Sequence, residues 1–411
     1  MVSAQDRDVL RRLGSQVAKI AALPVQKEKI RLWKALNSLK PIRPMVMIDQ
    51  MPWHEMDVDG ELKLQCTDPF CKDLETQLRR TLYRWKHMPA DFVVMPFVEV
   101  SKVIRNSGWG IERHEQISVL DPQNDVVGHA FIDQITTDAD IEKIHTPQVD
   151  LDAAATAAAE EKAHAIFDGV IDVRMQGMLP WVSPWDIITQ LRNPEALLWD
   201  LADRPEFMHR LVKRLMDAAM GMLDQLEDKG LLGSDMTWIH CTGAFTDELP
   251  KPGFNPAKPR AKDIWTFGMA QIFSTVSPAT HDEFEIAYYI PWFKRFGIVY
   301  YGCCEPVDDR IHVIRKLPNV RKISMSPWVN QQRGATEIGR DYVFSRKPSP
   351  AFLAPDAFNP KAVEEDLRQT VQVCRQHGCP LELILKDIST VRYEPKRLWE
   401  WEKIAMKAVG A

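Results

Sequence analysis

The sequence predicts an α/β protein: a single (β/α)₈ TIM barrel with an N-terminal helical cap and an insertion early in the barrel. Three observations lead to this prediction. Short apolar runs alternate with amphipathic helical segments along most of the 411 residues, which is typical of parallel βαβ units. Two helical segments come before any strand signal, as in a cap. No Gly-x-Gly-x-x-Gly or Walker A pattern follows the first strand, so the nucleotide-binding folds lack their usual motif.

Residues 1–40 are expected to form the cap, with helices at about 6–22 and 25–39 on either side of Pro24. The barrel is expected over residues 41–411. Its first strand, 45–48, is a short apolar run between Pro44 and Asp49, and a helix with a leucine stripe follows at 70–87. A second apolar run, 91–95, stops at Pro96 and is predicted as the next strand. Residues 97–150 break the alternation and are predicted as a β-rich excursion with a short helix at 138–144.

The alternation returns after the excursion. An Ala-rich helix is expected at 152–167, and a long helix at 205–229 that begins with Pro205 and ends at Gly230. The remaining predicted helices are 194–201, 261–273, 278–296, 308–315, 335–339, 360–377 and 395–409. The remaining predicted strands are 170–175, 236–241, 298–301, 322–325, 342–345 and 381–385. This gives the strand–helix repeats that a barrel of eight strands needs.

Composition excludes several functional classes. The 52 basic and 57 acidic residues give a net charge of −5, which argues against a nucleic-acid-binding surface. A hydrophobic content of 45% is that of a globular protein. No apolar window is long enough for a membrane span, and the charged N-terminus lacks a signal peptide, so a cytoplasmic protein without membrane contacts is expected. The seven cysteines are an odd number, which does not suggest a disulfide framework.

In a barrel, catalytic side chains lie just after the strands. The polar and thiol residues at these positions are Asp49, Gln50, Trp53, His54, Glu99, His240, Cys241, Cys303, Cys304, Glu305, Ser326, Trp328, Lys347, Lys386 and Asp387. We expect Glu305, Asp387 and His240 to be catalytic.

The segment Tyr301-Gly-Cys-Cys-Glu-Pro306 directly follows a predicted strand. Thiolate, imidazole and carboxylate groups are the ligands that Zn²⁺ prefers, so Cys303, Cys304, Glu305 and His240 are candidate zinc ligands. Adjacent residues of an extended strand point to opposite faces, so only one of the two cysteines is expected to face the site. Two small buried core residues are the alternative interpretation of this pair.

Two segments carry a resemblance to a known family. They are Trp185-Asp-Ile-Ile-Thr-Gln-Leu-Arg-Asn-Pro-Glu-Ala-Leu-Leu-Trp-Asp-Leu-Ala-Asp-Arg-Pro205 and Gly-Ile-Val-Tyr-Tyr-Gly-Cys-Cys-Glu-Pro306. From about residue 185 onward the chain resembles the uroporphyrinogen decarboxylase superfamily. One branch of that (β/α)₈ superfamily decarboxylates uroporphyrinogen without metal. The other comprises zinc-dependent methyltransferases that exchange methyl groups with a corrinoid carried by a partner protein.

The methyltransferase branch has a His-x-Cys-Gly motif after a mid-barrel strand and a second cysteine near the C-terminus. Here Tyr301-Gly302-Cys303 stands at the first position, so the cysteine matches and the histidine does not. No cysteine stands near Lys386-Asp387, the second position; His240, Glu305 and Asp387 are the candidate substitutes. The Arg-rich stretch of the decarboxylases is not recognisable around residues 41–53. Arg174, Lys347 and Lys386 are the cations that a decarboxylase would have to use.

The resemblance therefore implies a zinc-dependent methyltransferase. It would move a methyl group from a small donor, such as a methyl ether or methylamine, to the corrinoid (cobalamin) of a corrinoid-binding partner protein. A metal-free decarboxylase is the alternative, and a barrel that binds without catalysis is a third interpretation. The predicted substrate-binding residues are Asp49, Trp53, His54, Trp109, Trp185 and Trp328.

Overall fold

The computed structural model describes residues 2–119, 122 and 127–411. The helices are α1 (Ala4–Ala21), α2 (Pro24–Asn37), α3 (Pro69–His87), α4 (Asp138–Ile141), α5 (Ala153–Phe167), α6 (Pro184–Leu191), α7 (Pro194–Asp203), α8 (Pro205–Asp228), α9 (Pro278–His281), α10 (Ala287–Arg295), α11 (Ile311–Ile314), α12 (Gln331–Ile338), α13 (Pro360–His377) and α14 (Lys396–Ala408). The strands are β1 (Met45–Ile48), β2 (Phe97–Ser101), β3 (Ile104–Asn106), β4 (Glu115–Ser118), β5 (Gly128–Phe131), β6 (Val149–Leu151), β7 (Asp172–Gln176), β8 (Trp238–Ile239), β9 (Thr242–Gly243), β10 (Trp265–Gly268), β11 (Ile298–Tyr301), β12 (Val320–Met325), β13 (Val343–Arg346) and β14 (Leu381–Leu385).

Capping residues mark the starts of the helices that were predicted most accurately. The Asp68 carboxylate accepts a hydrogen bond from a backbone N–H in the first turn of α3, and Asn359 does the same for α13. Both helices begin with proline, whose missing N–H would have no partner there. Gly378 ends α13 in the left-handed conformation, with φ of 70°. These local signals explain why the predicted helices 70–87 and 360–377 agree with α3 and α13 to within one residue.

Six strands form a parallel sheet in the order β1-β14-β13-β12-β11-β10. Met45 pairs with Glu382 at one side of the sheet, and Gly268 pairs with Tyr301 at the other. Because all six strands run in the same direction, the residues that follow them meet at one edge, the carboxyl edge of the sheet. Cys303, which follows β11, and Lys386 and Asp387, which follow β14, lie at this edge.

The pairings of the described residues do not close into a ring. The strands β2 and β7 form a separate two-stranded parallel sheet, and an isolated parallel bridge joins Met178 to Leu232. The fold is therefore α/β with a six-stranded parallel sheet, and the eight-stranded closed barrel predicted from the sequence is not formed by these pairings.

The predicted strand at 91–95 is not a strand in the structure. The Asp91 carboxylate accepts the backbone N–H of Val46 at 2.8 Å, where a strand carbonyl would otherwise pair. The helix α2 satisfies other groups of this segment: Gln26 accepts from the N–H of Val94 and Lys29 donates to the carbonyl of Phe92. Apart from the hydrogen bond from the Asp91 N–H to the Val46 carbonyl at 3.0 Å, side chains take the place of a hydrogen-bond ladder between this segment and β1.

Three other predictions need correction. The excursion predicted from residue 97 begins with β2, which belongs to the parallel pair with β7, and only β3 to β6 are antiparallel. The predicted strand 236–241 is reduced to β8, which turns back into β9. The predicted helix 261–273 contains β10, because its aromatic and β-branched residues 265–267 are buried beside β11. The helix α6 was not predicted.

The two N-terminal helices cover different parts of the sheets. Trp33 and Leu36 of α2 pack against Met45 and Val343, the first residues of β1 and β13. The apolar stripe of α1 packs with α3, α5 and the β2–β7 pair. Within the described residues, no helix has both the length and the apolar character needed to cross a membrane.

Candidate functional site

A cavity of about 440 Å³ lies at the carboxyl edge of the sheet. Its walls combine aromatic and thioether side chains with a small group of thiols and charged residues. The lining residues are Gln50, Leu179, Pro180, Trp181, Met236, Trp238, Ile239, His240, Cys241, Trp265, Thr266, Phe267, Met269, Gln271, Cys303, Cys304, Lys386 and Asp387. An apolar cavity with a few convergent polar groups is the usual form of a small-molecule site.

Tight backbone turns direct several of these residues into the cavity. His240 and Cys241 connect β8 to β9 with φ of 39° and 71°, as in the two-residue hairpin turn that has positive φ at both positions. Gln50 and Asp387, which come soon after β1 and β14, also have positive φ. Non-glycine residues in this conformation are uncommon and concentrate at functional sites. Four such residues lining one cavity support a functional role for it.

Both cysteines of the Cys303-Cys304 pair line the cavity. The strand β11 ends at Tyr301, and Gly302 then turns the chain with φ of 88°, a conformation that favours glycine. The expectation that only one thiol faces the site is therefore wrong, since the alternation of an extended strand does not continue past residue 301.

The thiols form a charged cluster with the residues that follow β14. The Lys386 ammonium donates to Cys303 Sγ at 3.2 Å and pairs with Asp387 Oδ2 at 2.9 Å. Cys304 Sγ lies 3.6 Å from Cys303 Sγ and 3.4 Å from Asp387 Oδ2, so its single proton can be donated to one of these two partners at a time. Lys386 also contacts Gln50 Oε1 at 3.5 Å, a long and weak interaction. The cluster joins residues that are 83 positions apart in the chain.

The charges in this cluster depend on one another. The hydrogen bond from Cys304 lowers the pKa of the Cys303 thiol and, together with the Lys386 ammonium, outweighs the opposing effect of burial. The pKa of Cys304 is raised by the same hydrogen bond and by burial, so Cys304 keeps its proton. Burial alone would lower the pKa of Lys386, but the negative charges of Cys303 and Asp387 raise it above its usual value. The arrangement thus favours the thiolate form of Cys303 beside the charged ammonium of Lys386.

His240 is a neutral imidazole in this site. Burial, with a smaller contribution from Lys347 and Lys386, holds the pKa of His240 well below its usual value. Its Nε2 atom is buried and has no hydrogen-bond partner in the described part of the protein. Its ring lies against Phe267, with centroids 4.7 Å apart. This nitrogen is thus an unsatisfied polar atom on a residue of the cavity wall.

Glu305 does not line the cavity but holds the loop that carries the thiols. Its two carboxylate oxygens accept the backbone N–H groups of Cys303 at 2.9 Å and Ala270 at 3.2 Å. This ties the loop after β11 to the loop after β10. Glu305 is a positioning residue for Cys303, and the predictions that it is catalytic and a metal ligand gain no support from this orientation.

The titration of Glu305 should make stability depend on pH. Burial raises the pKa of Glu305 to about 7, from 4.5 in an exposed carboxyl group. Between these values the folded protein binds more protons than the unfolded chain, so the free energy of unfolding should fall as pH rises, by about 3 kcal/mol. Denaturant unfolding of the wild type and Glu305→Gln at pH 5 and pH 8 measures this contribution, which should be missing from the variant. The exposed Glu365→Gln is the control; equal pH dependence in all three proteins would contradict the prediction.

Several residues predicted for substrate binding lie outside the cavity. Asp49 does not line the cavity, but its Oδ2 accepts a hydrogen bond at 2.9 Å from Nε1 of Trp238, which does. The others are either packed in the core or exposed. Trp185 is fully buried with Nε1 bonded to a backbone carbonyl, Trp53 packs on Tyr83, His54 on Tyr393, Trp109 is packed against the main core, and Trp328 is 76% exposed.

The aromatic wall was missed by sequence reasoning. Trp181 and Phe267 stack with ring centroids 4.5 Å apart, and Trp238 and Trp265 complete the wall. Trp181 follows β7 and Trp265 begins β10, so their positions after or within strands were the only local signal. Arg174, a cation considered for a decarboxylase, lines a different cavity of about 250 Å³.

The predicted zinc ligands do not form a metal centre in the described part of the chain. No three His, Cys, Asp or Glu side chains there are grouped so that they could hold a metal ion. The Lys386 ammonium lies in contact with both Cys303 and Asp387, where a cation would have to bind, and Glu305 points to backbone N–H groups. This donor set fits a thiol paired with a lysine better than it fits zinc.

Comparison with known proteins shows a similarity of fold. No protein-family model matches the chain, and no curated protein matches its sequence. Among solved structures, a methyltransferase from Methanosarcina mazei is similar with a TM-score of 0.51 and 11% sequence identity, over 92% of this chain and 97% of that protein. At this identity the likeness concerns the fold.

Proposed function

We propose that this protein is a methyltransferase that takes a methyl group from a small methylated donor and passes it to the corrinoid of a partner protein. The proposal places the chain in the corrinoid-dependent branch of the uroporphyrinogen decarboxylase superfamily, as the resemblance of its sequence implies. The observation that carries it is the cavity, in which an aromatic wall faces a single buried ammonium, Lys386. The name of the similar methyltransferase agrees with it.

The aromatic wall is suited to the body of the donor. Trp181, Trp238, Trp265 and Phe267 offer flat apolar surfaces, and stacking on such surfaces adds roughly 1 kcal/mol beyond the burial of area. We assign one polar substituent of the donor to the His240 side chain, whose buried Nε2 atom has no hydrogen-bond partner among the described residues. An aromatic methyl ether is therefore the donor that this cavity suits best.

Lys386 addresses the difficult part of the reaction, the departure of an oxygen that carries negative charge. An ammonium has three N–H donors, and here two of them are held by Cys303 and Asp387. The third has only the weak contact with Gln50, so a leaving oxygen can take its place. Because its pKa is raised, Lys386 stays charged and stabilises this oxygen as the bond to the methyl carbon breaks.

The other groups keep Lys386 in this state. The Cys303 thiolate and Asp387 balance its charge, and Glu305 fixes the loop on which Cys303 stands. The corrinoid, carried by the partner, supplies the nucleophile that accepts the methyl group. The metal content of the purified protein and of Cys303→Ala measures whether zinc, expected from the sequence, is bound at all.

A panel of substrates tests the proposal. Methyl ethers and methylamines are incubated with the protein and free cob(I)alamin, and methylation of the corrinoid is followed by its visible spectrum. We expect turnover with an aromatic methyl ether and little with methylamines, because Lys386 repels a cationic donor. Uroporphyrinogen is the comparison substrate: release of CO₂ from it, with no methylation by any donor, would establish the decarboxylase instead.

A further inference from the structure

The Cys303-Cys304 pair has a feature that the proposed methyl transfer does not use. That function needs Cys303 as a negative charge beside Lys386, but it gives no role to a second thiol. The two sulfurs are nevertheless 3.6 Å apart and both line the cavity. We infer that Cys303 and Cys304 are a site of reversible thiol oxidation, at which a hydroperoxide closes a disulfide between the two adjacent residues.

The surroundings of the pair suit this reaction. The Lys386 ammonium is 3.2 Å from Cys303 Sγ and favours the thiolate, which is the reactive form. Cys304 is half-buried and reaches the open cavity, whereas the other six cysteines are buried; Cys303 is one of these six but lines the cavity. Asp387 Oδ2 lies 3.4 Å from Cys304 Sγ and is placed to take the proton of this thiol. A nucleophile, a second thiol and a base thus lie in contact.

The reaction balances in two steps. The Cys303 thiolate attacks one oxygen of the hydroperoxide, the O–O bond breaks, and the second oxygen leaves with the electron pair as hydroxide or alkoxide. Cys303 is then a sulfenic acid. The Cys304 sulfur, losing its proton to Asp387, attacks the Cys303 sulfur; the S–O bond breaks and water leaves. The two sulfurs together lose two electrons. Hydrogen peroxide is thereby reduced to two molecules of water, and an organic hydroperoxide to one alcohol and one water.

The resulting disulfide should be easy to reduce. Residues joined by a trans peptide have Cα atoms about 3.8 Å apart, which is shorter than the usual range of about 4.4–6.8 Å for disulfides. Such strain raises the reduction potential, which is a property of labile and regulatory disulfides rather than structural ones. The bond would also remove the thiolate that balances Lys386. If the proposed function holds, oxidation should therefore reversibly inactivate the enzyme.

Mass spectrometry tests the inference without an activity assay. Trypsin should release residues 296–310 as one peptide that contains both cysteines and no other. The folded protein is treated with hydrogen peroxide, denatured, alkylated and digested, with and without prior dithiothreitol. We expect this peptide to lose two hydrogens and resist alkylation, and dithiothreitol to restore both thiols. The tryptic peptide 64–72, with the buried Cys66 and Cys71, should remain alkylated, because burial raises the pKa of both thiols to about 12.

Variants identify the roles of the two thiols. Cys304→Ser should stop at the sulfenic acid, which dimedone traps on Cys303, and Cys303→Ser should leave Cys304 unoxidised. Lys386→Met should slow the loss of the Cys303 thiol roughly tenfold by reducing its thiolate fraction. A Cys303 thiol that survives peroxide while buried cysteines are oxidised would overturn the inference, as would an unchanged rate in Lys386→Met.

One further arm separates this result from a metal site. The same oxidation is performed after treatment with a chelator, and the zinc content is measured in parallel. Equal oxidation with and without the chelator supports a free thiol pair. If both thiols react only after zinc is removed, the pair is a metal site and the inference is wrong. Because these readouts are chemical, they stand even if no methyl donor is found.

Discussion

Replacing Lys386 by methionine should lower kcat for methyl transfer by about 10²–10³-fold, the usual cost of removing one preorganised hydrogen-bond donor from a developing negative charge. The loss should fall on kcat rather than KM, because the aromatic wall that binds the donor does not include this residue. Lys386 is 3% exposed, so water cannot easily take its place. Rates of corrinoid methylation with an aromatic methyl ether measure the effect.

Two comparisons make this result specific to the charge of Lys386. Lys386→Arg keeps a cation at this position and should recover part of the rate. Lys213→Met removes an exposed lysine of α8 that pairs with Asp217 and does not line the cavity, and it should leave the rate unchanged. Full activity in Lys386→Met, or equal loss in Lys386→Arg and Lys386→Met with intact folding, would show that the ammonium does not act on the leaving oxygen.

Replacing Lys322 by methionine should destabilise the protein by about 3–5 kcal/mol, the cost of leaving a buried charge without its partner. The Lys322 ammonium on β12 is fully buried between strands and donates to Glu382 Oε2 on β14 at 2.7 Å. It also donates to the Thr242 hydroxyl and the Gly243 carbonyl, both at 3.1 Å. Without it, the Glu382 carboxylate would keep only the hydrogen bond from Thr242.

A double variant separates the charge from the packing at this position. Lys322→Met/Glu382→Met removes both charges and should be clearly more stable than Lys322→Met alone, because a well-packed apolar pair often replaces a buried ion pair at little cost. Midpoints of denaturant unfolding give the comparison. The exposed pair is again the control, since Lys213→Met should change stability by less than about 1 kcal/mol. A double variant as unstable as Lys322→Met would contradict the charge argument.

Much of the local structure could be predicted from the sequence. The strands 45–48, 298–301 and 381–385 and the helix 360–377 were predicted with the bounds that the structure has. These elements have continuous apolar runs or capping residues, whose effects are local. The same reasoning placed His240, Cys303, Cys304 and Asp387 after strands, and the structure brings all four to one cavity. The parallel direction of β11 and β14 explains this for Cys303, Cys304 and Asp387, whereas His240 lies in the turn of the separate antiparallel pair β8–β9.

Tertiary contacts decided what local patterns could not show. Residues 91–95 have the apolar run of a buried strand, but side chains of α2 bond to the backbone of this segment. The Asp91 carboxylate takes the N–H of Val46 on β1. The local sequence does not distinguish Trp185 and Trp328 from Trp181, which lines the cavity. In the structure Trp185 is buried in the core and Trp328 is exposed. Periodicity reports which face of an element is buried, and it contains no information on what the buried face meets.

The sequence by itself determined the α/β class, the positions of most elements and a set of reactive residues after the strands. Only the tertiary structure showed that the ammonium of Lys386 lies between Cys303 and Asp387. The sequence favoured a zinc centre there, because residue types alone predict which ligands are present. Whether those ligands surround an open position or a lysine depends on the contact between Cys303 and Lys386, which are 83 positions apart in the chain. The folding of the whole sheet brings these two residues together.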